Sequence, residues 1–183
     1  INGKKAFVFG GTSGIGLSAT QMLSDKGAHV IALSRNPEKM ENLPKNVMTK
    51  KMNVLDKEAL ESFFQEEGEF DILVNSATGG ARAVGPFLSM DLEGYKASFD
   101  KLWGYTNVVR FGAKYLKNNG NIVLVSGSPA RKCRTGQIAI SSVGGAVEAF
   151  ARGIAPEIAP KRINIVSPGI IDTPMSPLQG QER

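Results

Sequence analysis

Residues 4–16 read Lys-Lys-Ala-Phe-Val-Phe-Gly-Gly-Thr-Ser-Gly-Ile-Gly, and no other stretch narrows the possible folds as far. The apolar run at 6–9 does not alternate with polar residues, which is the pattern of a parallel strand covered on both faces. Beyond the glycines, Ile15, Ala19, Met22 and Leu23 recur at helical spacing. Strand, tight turn and helix in that order make a buried crossover unit. Gly10, Gly14 and Gly16 let the backbone turn sharply, let a ligand approach amides that a Cβ would block, and let the helix pack close to the strand. The N-terminus of such a helix faces an anion, a phosphate above all. The spacing Gly10-xxx-Gly14-x-Gly16 differs by one residue from the commonest dinucleotide fingerprint, and a tight loop without any ligand would use the same glycines. Context must separate the two.

The chain supplies that context in order. Gly27 ends the first helix, and residues 28–33 form a second apolar run. Ser34-Arg35-Asn36-Pro37 breaks it, residues 38–43 make a short helical turn, and residues 47–52 give a weaker third strand. Asp56 caps a helix with Ala59, Leu60, Phe63 and Phe64 on one face, followed by a fourth strand at 70–74. Residues 75–91 have the glycine-rich composition of a binding loop. A long helix is expected from about 92 to 117, burying Phe99, Leu102, Trp103, Val109, Ala113 and Leu116 and stopped by Gly120. A fifth strand at 121–125, a loop at 126–137, a helix at 138–158 and a sixth strand at 163–166 complete the pattern. Six strands alternating with helices specify an α/β fold, a doubly wound parallel sheet of Rossmann type with helices on both faces. Ligands of that architecture sit at the carboxyl ends of the strands, where Gly10, Ser34, Asn53, Asn75, Ser126 and Pro168 fall.

Composition excludes several alternatives. With 183 residues, 42% hydrophobic and 21% charged, the chain supports one domain spanning 1–183 with a substantial core. The net charge of +5 is scattered, with Lys4-Lys5, Lys50-Lys51 and Arg131-Lys132 among the basic pairs, so no stripe for nucleic acid is expected. One cysteine, Cys133, rules out an internal disulfide framework, and the single His29 has no companion ligand, so no metal site is expected. No apolar run reaches the length of a membrane span and no signal-peptide pattern opens the chain, which makes the cytoplasm the default location.

At this point the chain resembles the short-chain dehydrogenase/reductase family over nearly all of its length. The glycine turn, Asn53-Val54 after the third strand, Asp71-Ile-Leu-Val-Asn75-Ser76-Ala77, and Pro168-Gly169-Ile-Ile-Asp-Thr173 agree with the family motifs in order. The resemblance implies that Gly10, Thr12, Ser13, Gly14, Ile15 and Gly16 hold a pyrophosphate and that Asn53 and Val54 bracket an adenine. It further implies that Asn75, Ser76 and Ala77 line the cofactor ribose, and that Pro168, Gly169, Ile171 and Thr173 touch a nicotinamide. At the end of the second strand, Ser34 is followed by Arg35 rather than by a carboxylate. A guanidinium suits a 2′-phosphate where a carboxylate would repel it, so NADP is expected in preference to NAD; a solvated loop cation is the competing role for Arg35.

The resemblance fails at the catalytic residues. The family uses a tyrosine with a lysine four residues later; here those positions carry Ile140 and Gly144, and the family serine falls on Gly127, between Ser126 and Ser128. Loss of a general acid costs about 10²–10⁴ in rate, so another donor is needed. Ser126, Ser128 and Lys101 are the candidates, with Arg131 expected in the same crevice; Lys101 lies near where the family places a helix asparagine, and a plain surface cation is its other role.

Two functions remain open: an NADP-dependent oxidoreductase with an unusual proton donor, acting on an unidentified carbonyl or alcohol, and a non-catalytic NADP-binding sensor or partner subunit. The resemblance also implies self-association as a dimer or tetramer through the helices at 92–117 and 138–158. Ala139, Gly145, Ala146, Ala149 and Ala151 would permit close approach there, around Phe99, Trp103 and Phe150. The last part of the family fold is expected to be missing, since the chain stops soon after Thr173.

Overall fold

The computed structural model describes residues 1–40, 43–78 and 80–173. Its elements follow as β1 (Lys5–Phe9), α1 (Gly14–Asp25), β2 (His29–Ser34), β3 (Val47–Lys51), α2 (Lys57–Glu67), β4 (Phe70–Asn75), α3 (Leu92–Ala97), α4 (Asp100–Gly112), β5 (Leu116–Val125), α5 (Ile138–Ile158) and β6 (Arg162–Val166). The strands form one parallel sheet in the order β3-β2-β1-β4-β5-β6. The expected doubly wound parallel sheet is therefore what the chain forms. After β3 the chain crosses back over β1 to start β4, so connections leave β1 and β4 in opposite directions and their carboxyl ends open a crevice.

Residues 6–9 of β1 are fully buried, and alternation within them sorts the two faces by size. Phe7 and Phe9 face a core shared with Leu60, Phe63 and Phe64 of α2, Tyr105 and Val108 of α4, and Val147 of α5. Ala6 and Val8 face the opposite side with Val30, Ala32 and Val74, against which Ala19 and Leu23 of α1 pack. Small side chains on that face let α1 come close, and the helix turns its small residues Gly16, Thr20 and Ser24 inward. Met22, expected on the buried face, is consequently 60% exposed. The Gly27 stop forms as expected: at φ +80, its amide donates to Ser24 O and that of Ala28 donates to Leu23 O, the Schellman closure of a helix. Asp56 caps α2 through the Ala59 amide, 3.0 Å away.

The region at 92–117 departs most from expectation. It is two helices, broken at Ser98, whose Oγ donates to Gly94 O at 2.9 Å and accepts the amide of Ala83 at 2.9 Å. A hydroxyl that must serve both the helix and the preceding loop sets the break. The helix then ends at Gly112, and residues 116–120 belong to β5, paired with β4 through a register shift between Phe70 and Ile72. Gly120 is thus buried in a strand rather than stopping a helix. Trp103 is 59% exposed, while Tyr105 and Val108 are fully buried in its stead, because α4 inserts the stripe beginning at Gly104 and Tyr105. The turn expected at 38–43 is a single 3-10 turn at Pro37–Lys39; Glu41 and Asn42 lie outside the described residues.

At the amino ends of the strands the nearly buried Asp71 of β4 gathers cations. It accepts Lys4 Nζ at 2.9 Å, the Lys5 amide at 3.0 Å and Lys117 Nζ at 3.4 Å, while Glu67 pairs with Lys5 and Lys50 beside it.

Candidate active site

A cavity of about 1070 Å³ occupies the carboxyl ends of the strands. Of the residues named from sequence, Gly10, Thr12, Ser13, Gly14, Ile15, Gly16, Ser34, Arg35, Asn53, Val54, Ser76, Ala77, Pro168, Gly169, Ile171 and Thr173 line it. So do Lys101, Ser126 and Ser128, together with Ile140 and Gly144 of α5. Asn75 does not line it: it is fully buried, and its Oδ1 accepts the Ala77 amide at 3.1 Å, holding the turn from behind.

The glycine turn is set by close approach. Gly10 sits at φ +76, and a Cβ there would lie 2.8 Å from both Ala77 N and Ser76 Oγ. A Cβ on Gly16 would run into the Gly10 carbonyl, so β1, the start of α1 and the loop after β4 meet where only hydrogen fits. Gly11, outside the three-glycine pattern, is equally constrained, since its Cβ would fall 2.6 Å from Val8 O. Ser13 is the N-cap of α1 but contributes no side-chain cap, so the amides of the first helical turn remain available to an anion.

Beyond that turn, Ser34 Oγ is buried without a hydrogen-bond partner at the cavity wall, next to the exposed Arg35. Asn53 Oδ1 accepts the Leu55 amide at 3.1 Å, and Val54 is clamped from below. Gly104 packs its Cα against the Val54 side chain, and Asn107 Nδ2 donates to Val54 O at 3.1 Å. Helix α4 thereby positions the loop after β3.

The opposite wall is made by the ends of β5 and β6, by α4 and by α5. Lys101 Nζ donates to Ser126 O at 3.2 Å and lies 5.5 Å from the centre of the Tyr105 ring. Burial, and then the like charge of Arg82, pull its amine down to about 8. The Ser126 hydroxyl is committed: it donates to Gly144 O at 3.1 Å. Ser128 has its amide on Pro168 O at 2.8 Å, which joins the exits of β5 and β6. Gly144 lies against the Ser128–Ala130 turn so closely that a Cβ would sit 2.9 Å from Ala130 Cβ. None of the three tyrosines lines the cavity. Tyr105 is fully buried, with its OH on Val125 O at 2.9 Å and its phenol pushed up by that burial. The Tyr95 hydroxyl donates to Ser142 Oγ at 2.9 Å, and Tyr115 stacks on Phe64.

Arg131 is not in the cavity lining. Its Nε donates to Glu148 Oε2 at 3.0 Å, and Glu148 Oε1 accepts Ser167 Oγ at 2.7 Å. The Ser167 hydroxyl first, and the Arg131 guanidinium after it, hold the buried Glu148 carboxyl below the usual range. A carboxylate in the middle of an alanine-rich helix was the signal that could have singled out Glu148 in advance. The cations that do line the cavity, besides Arg35 and Lys101, are Arg82, Lys132 and Arg134. Among the described residues there is no group of His, Cys, Asp or Glu able to hold a metal ion.

The sheet order and crevice define a doubly wound, nucleotide-binding class, and comparison with known proteins narrows it. The family described as short chain dehydrogenase matches residues 4–183. The chain is 33% identical over 191 residues to the 2,3-dihydro-2,3-dihydroxybenzoate dehydrogenase of Bacillus subtilis, covering 96% of this chain and 72% of that one. It is 32% identical over 184 residues to the L-xylulose reductase of Bos taurus, covering 96% and 75%. Among solved structures, a short chain dehydrogenase from Burkholderia cenocepacia J2315 in complex with NADP superposes with a TM-score of 0.88 at 27% identity, covering 96% of this chain and 76% of that one. A small-chain dehydrogenase in complex with NADPH gives 0.76, again at 27% identity, over 94% and 73%. This chain belongs to the short chain dehydrogenase family.

Proposed function

We propose that the chain is an NADP(H)-dependent oxidoreductase that acts on a carbonyl or alcohol and uses Lys101 as its proton donor. Support for a dinucleotide comes from the fit of the residues present. The cradle at Gly10 and Gly16 would be filled by any side chain, the first-turn amides of α1 lack a cap, and Ser34 Oγ is orphaned beside Arg35. NADP bound to the Burkholderia cenocepacia relative supports the same choice. The glycine turn would hold the pyrophosphate, Asn53 and Val54 the adenine, Ser34 and Arg35 the 2′-phosphate, and Pro168, Gly169, Ile171 and Thr173 the nicotinamide end.

A bound dihydronicotinamide supplies the hydride that a carbonyl carbon must accept. The chain's part is the proton. Lys101 Nζ, fixed on Ser126 O at 3.2 Å and poised at about 8, holds a proton at neutral pH yet releases it more readily than an ordinary lysine. The Ser128 hydroxyl would orient the same carbonyl oxygen, and Ser126, spent on Gly144, braces the wall. The observation that carries this reading is the lysine amine in the crevice where no tyrosine reaches.

The second reading, a sensor or partner subunit that binds NADP(H) without turnover, is favoured by one feature: Ile140 and Gly144 close the usual positions with groups that carry no proton. Absorbance at 340 nm during incubation of NADPH with a panel of aldehydes, ketones and quinones separates the two. NADPH consumption abolished by Lys101→Met supports the enzyme; tight binding with no consumption supports the sensor.

Self-association through α4 and α5 forms part of the proposal. Trp103 is 59% exposed on α4, and on α5 a Cβ at Gly145 would meet nothing within 4 Å, leaving that helix face open to another backbone. Light scattering at micromolar concentration should give twice or four times the chain mass, and Ala149→Arg should lower it.

A further inference from the structure

The charges of the crevice are segregated. Arg82 on the loop after β4, Lys101 on α4, and Lys132 and Arg134 on the loop after β5 line one wall, while Arg35 lines the other. No aspartate or glutamate lines either wall among the described residues, although the chain carries 17 acidic residues against 22 basic ones. The loop after β5 sorts its own cations: Arg131 turns away to Glu148, whereas Lys132 and Arg134 face the cavity and form no ion pair among the described residues. The phosphates of a dinucleotide are accounted for by the glycine turn and Arg35, on the far side. Arg82, Lys132 and Arg134 line the wall opposite that turn.

Like charges brought together in a partly desolvated crevice are costly. Burial lowers Arg82, and burial followed by the Arg82 charge lowers Lys101, so the guanidinium disfavours the charged form of the amine beside it. An anion between them removes that cost, and a guanidinium presents the paired donors that carboxylate and phosphate oxygens accept. We propose that the substrate is an anionic carbonyl compound whose carboxylate or phosphate group is held by Arg82, Lys132 and Arg134, with its carbonyl toward Lys101. This rests on the oxidoreductase reading and adds the substrate's charge to it.

The test begins with NADPH binding, followed by its fluorescence, so that failure of the dinucleotide reading is registered by itself. Protein with and without saturating NADP is then titrated calorimetrically with two matched pairs: pyruvate against methyl pyruvate, and dihydroxyacetone phosphate against dihydroxyacetone. At least one charged probe should bind tenfold or more tightly than its neutral partner, and which pair shows it identifies carboxylate or phosphate. The preference should shrink in 0.3 M KCl, a concentration of roughly twice the physiological ionic strength, as charges in an open crevice are screened. Lys132→Gln with Arg134→Gln, both at exposed positions, should reduce the preference, and adding Arg82→Gln should erase it, with NADPH affinity changed less than threefold. Equal affinity of charged and neutral probes overturns the proposal, as does a preference that survives the triple variant. Without NADP, a phosphate probe settling on the glycine turn is recognised by its indifference to these substitutions, which counts against the proposal.

Discussion

The two walls of the crevice are built from different materials. On the β1–β3 side the shape of the site is carried by main chain: Gly10, Gly11 and Gly16 bring three backbone segments into contact and leave helix amides exposed. On the β5–α5 side the shape is carried by side chains, among them Lys101 on Ser126 O and Ser126 on Gly144 O. A backbone site tolerates almost no change at its glycines and constrains its other side chains little. A side-chain site can exchange one acid for another while the sheet stays intact. That difference lets a glycine motif stay fixed on one wall while the side chains of the other are open to exchange.

Substitutions on each wall should therefore fail differently. Lys101→Met should give the largest effect, a loss of about 10²–10⁴ in carbonyl reduction with NADPH affinity nearly unchanged, measured by steady-state kinetics and fluorescence titration. The pH profile sharpens this, because reduction by the proposed route needs the protonated amine and should fall as pH rises through about 8; in Lys101→Met that limb should vanish. The sign for stability is opposite. The unfolded chain holds this proton up to a higher pH than the folded one, so the cost of charging Lys101 is full below about 8 and is relieved as pH climbs beyond it.

Gly16→Val attacks the other wall. Its side chain meets the Gly10 carbonyl, and about 3 kcal/mol should be lost from stability or dinucleotide affinity, read by urea unfolding and NADPH titration. Arg35→Ala should be milder, cutting the advantage of NADPH over NADH by roughly tenfold or more, in keeping with about 1.5–3 kcal/mol for a charge-assisted hydrogen bond. The smallest effect is expected from Gly144→Ala, which would place a methyl 2.9 Å from Ala130 Cβ and should cost about 1–3 kcal/mol in thermal unfolding. A lysine at that position meets the same obstruction; Ile140→Tyr, alone and facing the cavity, is the better test of an added acid.

What was legible in the sequence follows the same division. The glycine turn, the Arg35 position and the motifs at 53–54 and 168–173 could be read directly, because a strand end followed by turn residues fixes where backbone must go. The α5 boundaries were legible for a related reason, an apolar run between loop residues on both sides. The break at Ser98 was not, since it depends on a hydroxyl bonding to a loop distant in sequence. Nor was the orientation of Met22, because the sheet's small-residue face, and not hydrophobic periodicity, decides which side of α1 goes in, nor that of Trp103, which stays outside because α4 turns Tyr105 and Val108 into the core. Arg82 and Lys132 gave no local signal at all; only the closing of two loops around the crevice brings them together.

The Asp71 cluster gives the sheet a second end with its own response to acid. Burial pushes the Asp71 carboxyl up, but the Lys4 and Lys5 hydrogen bonds and Lys117 outweigh it and hold the group below its ordinary range. The stability this contributes is present above the carboxylate's unfolded value and is surrendered as pH falls through the lowered one. Lys101 titrates at the other pole and at the other end of the scale. Hydrogen exchange should resolve the two: acid frees the Lys5 amide, which donates to Asp71 Oδ2, and with it the shared starts of β1, β4 and β5, whereas alkali quiets the crevice rim. The sheet is an axle with one bearing that loosens in acid and another that tightens in base.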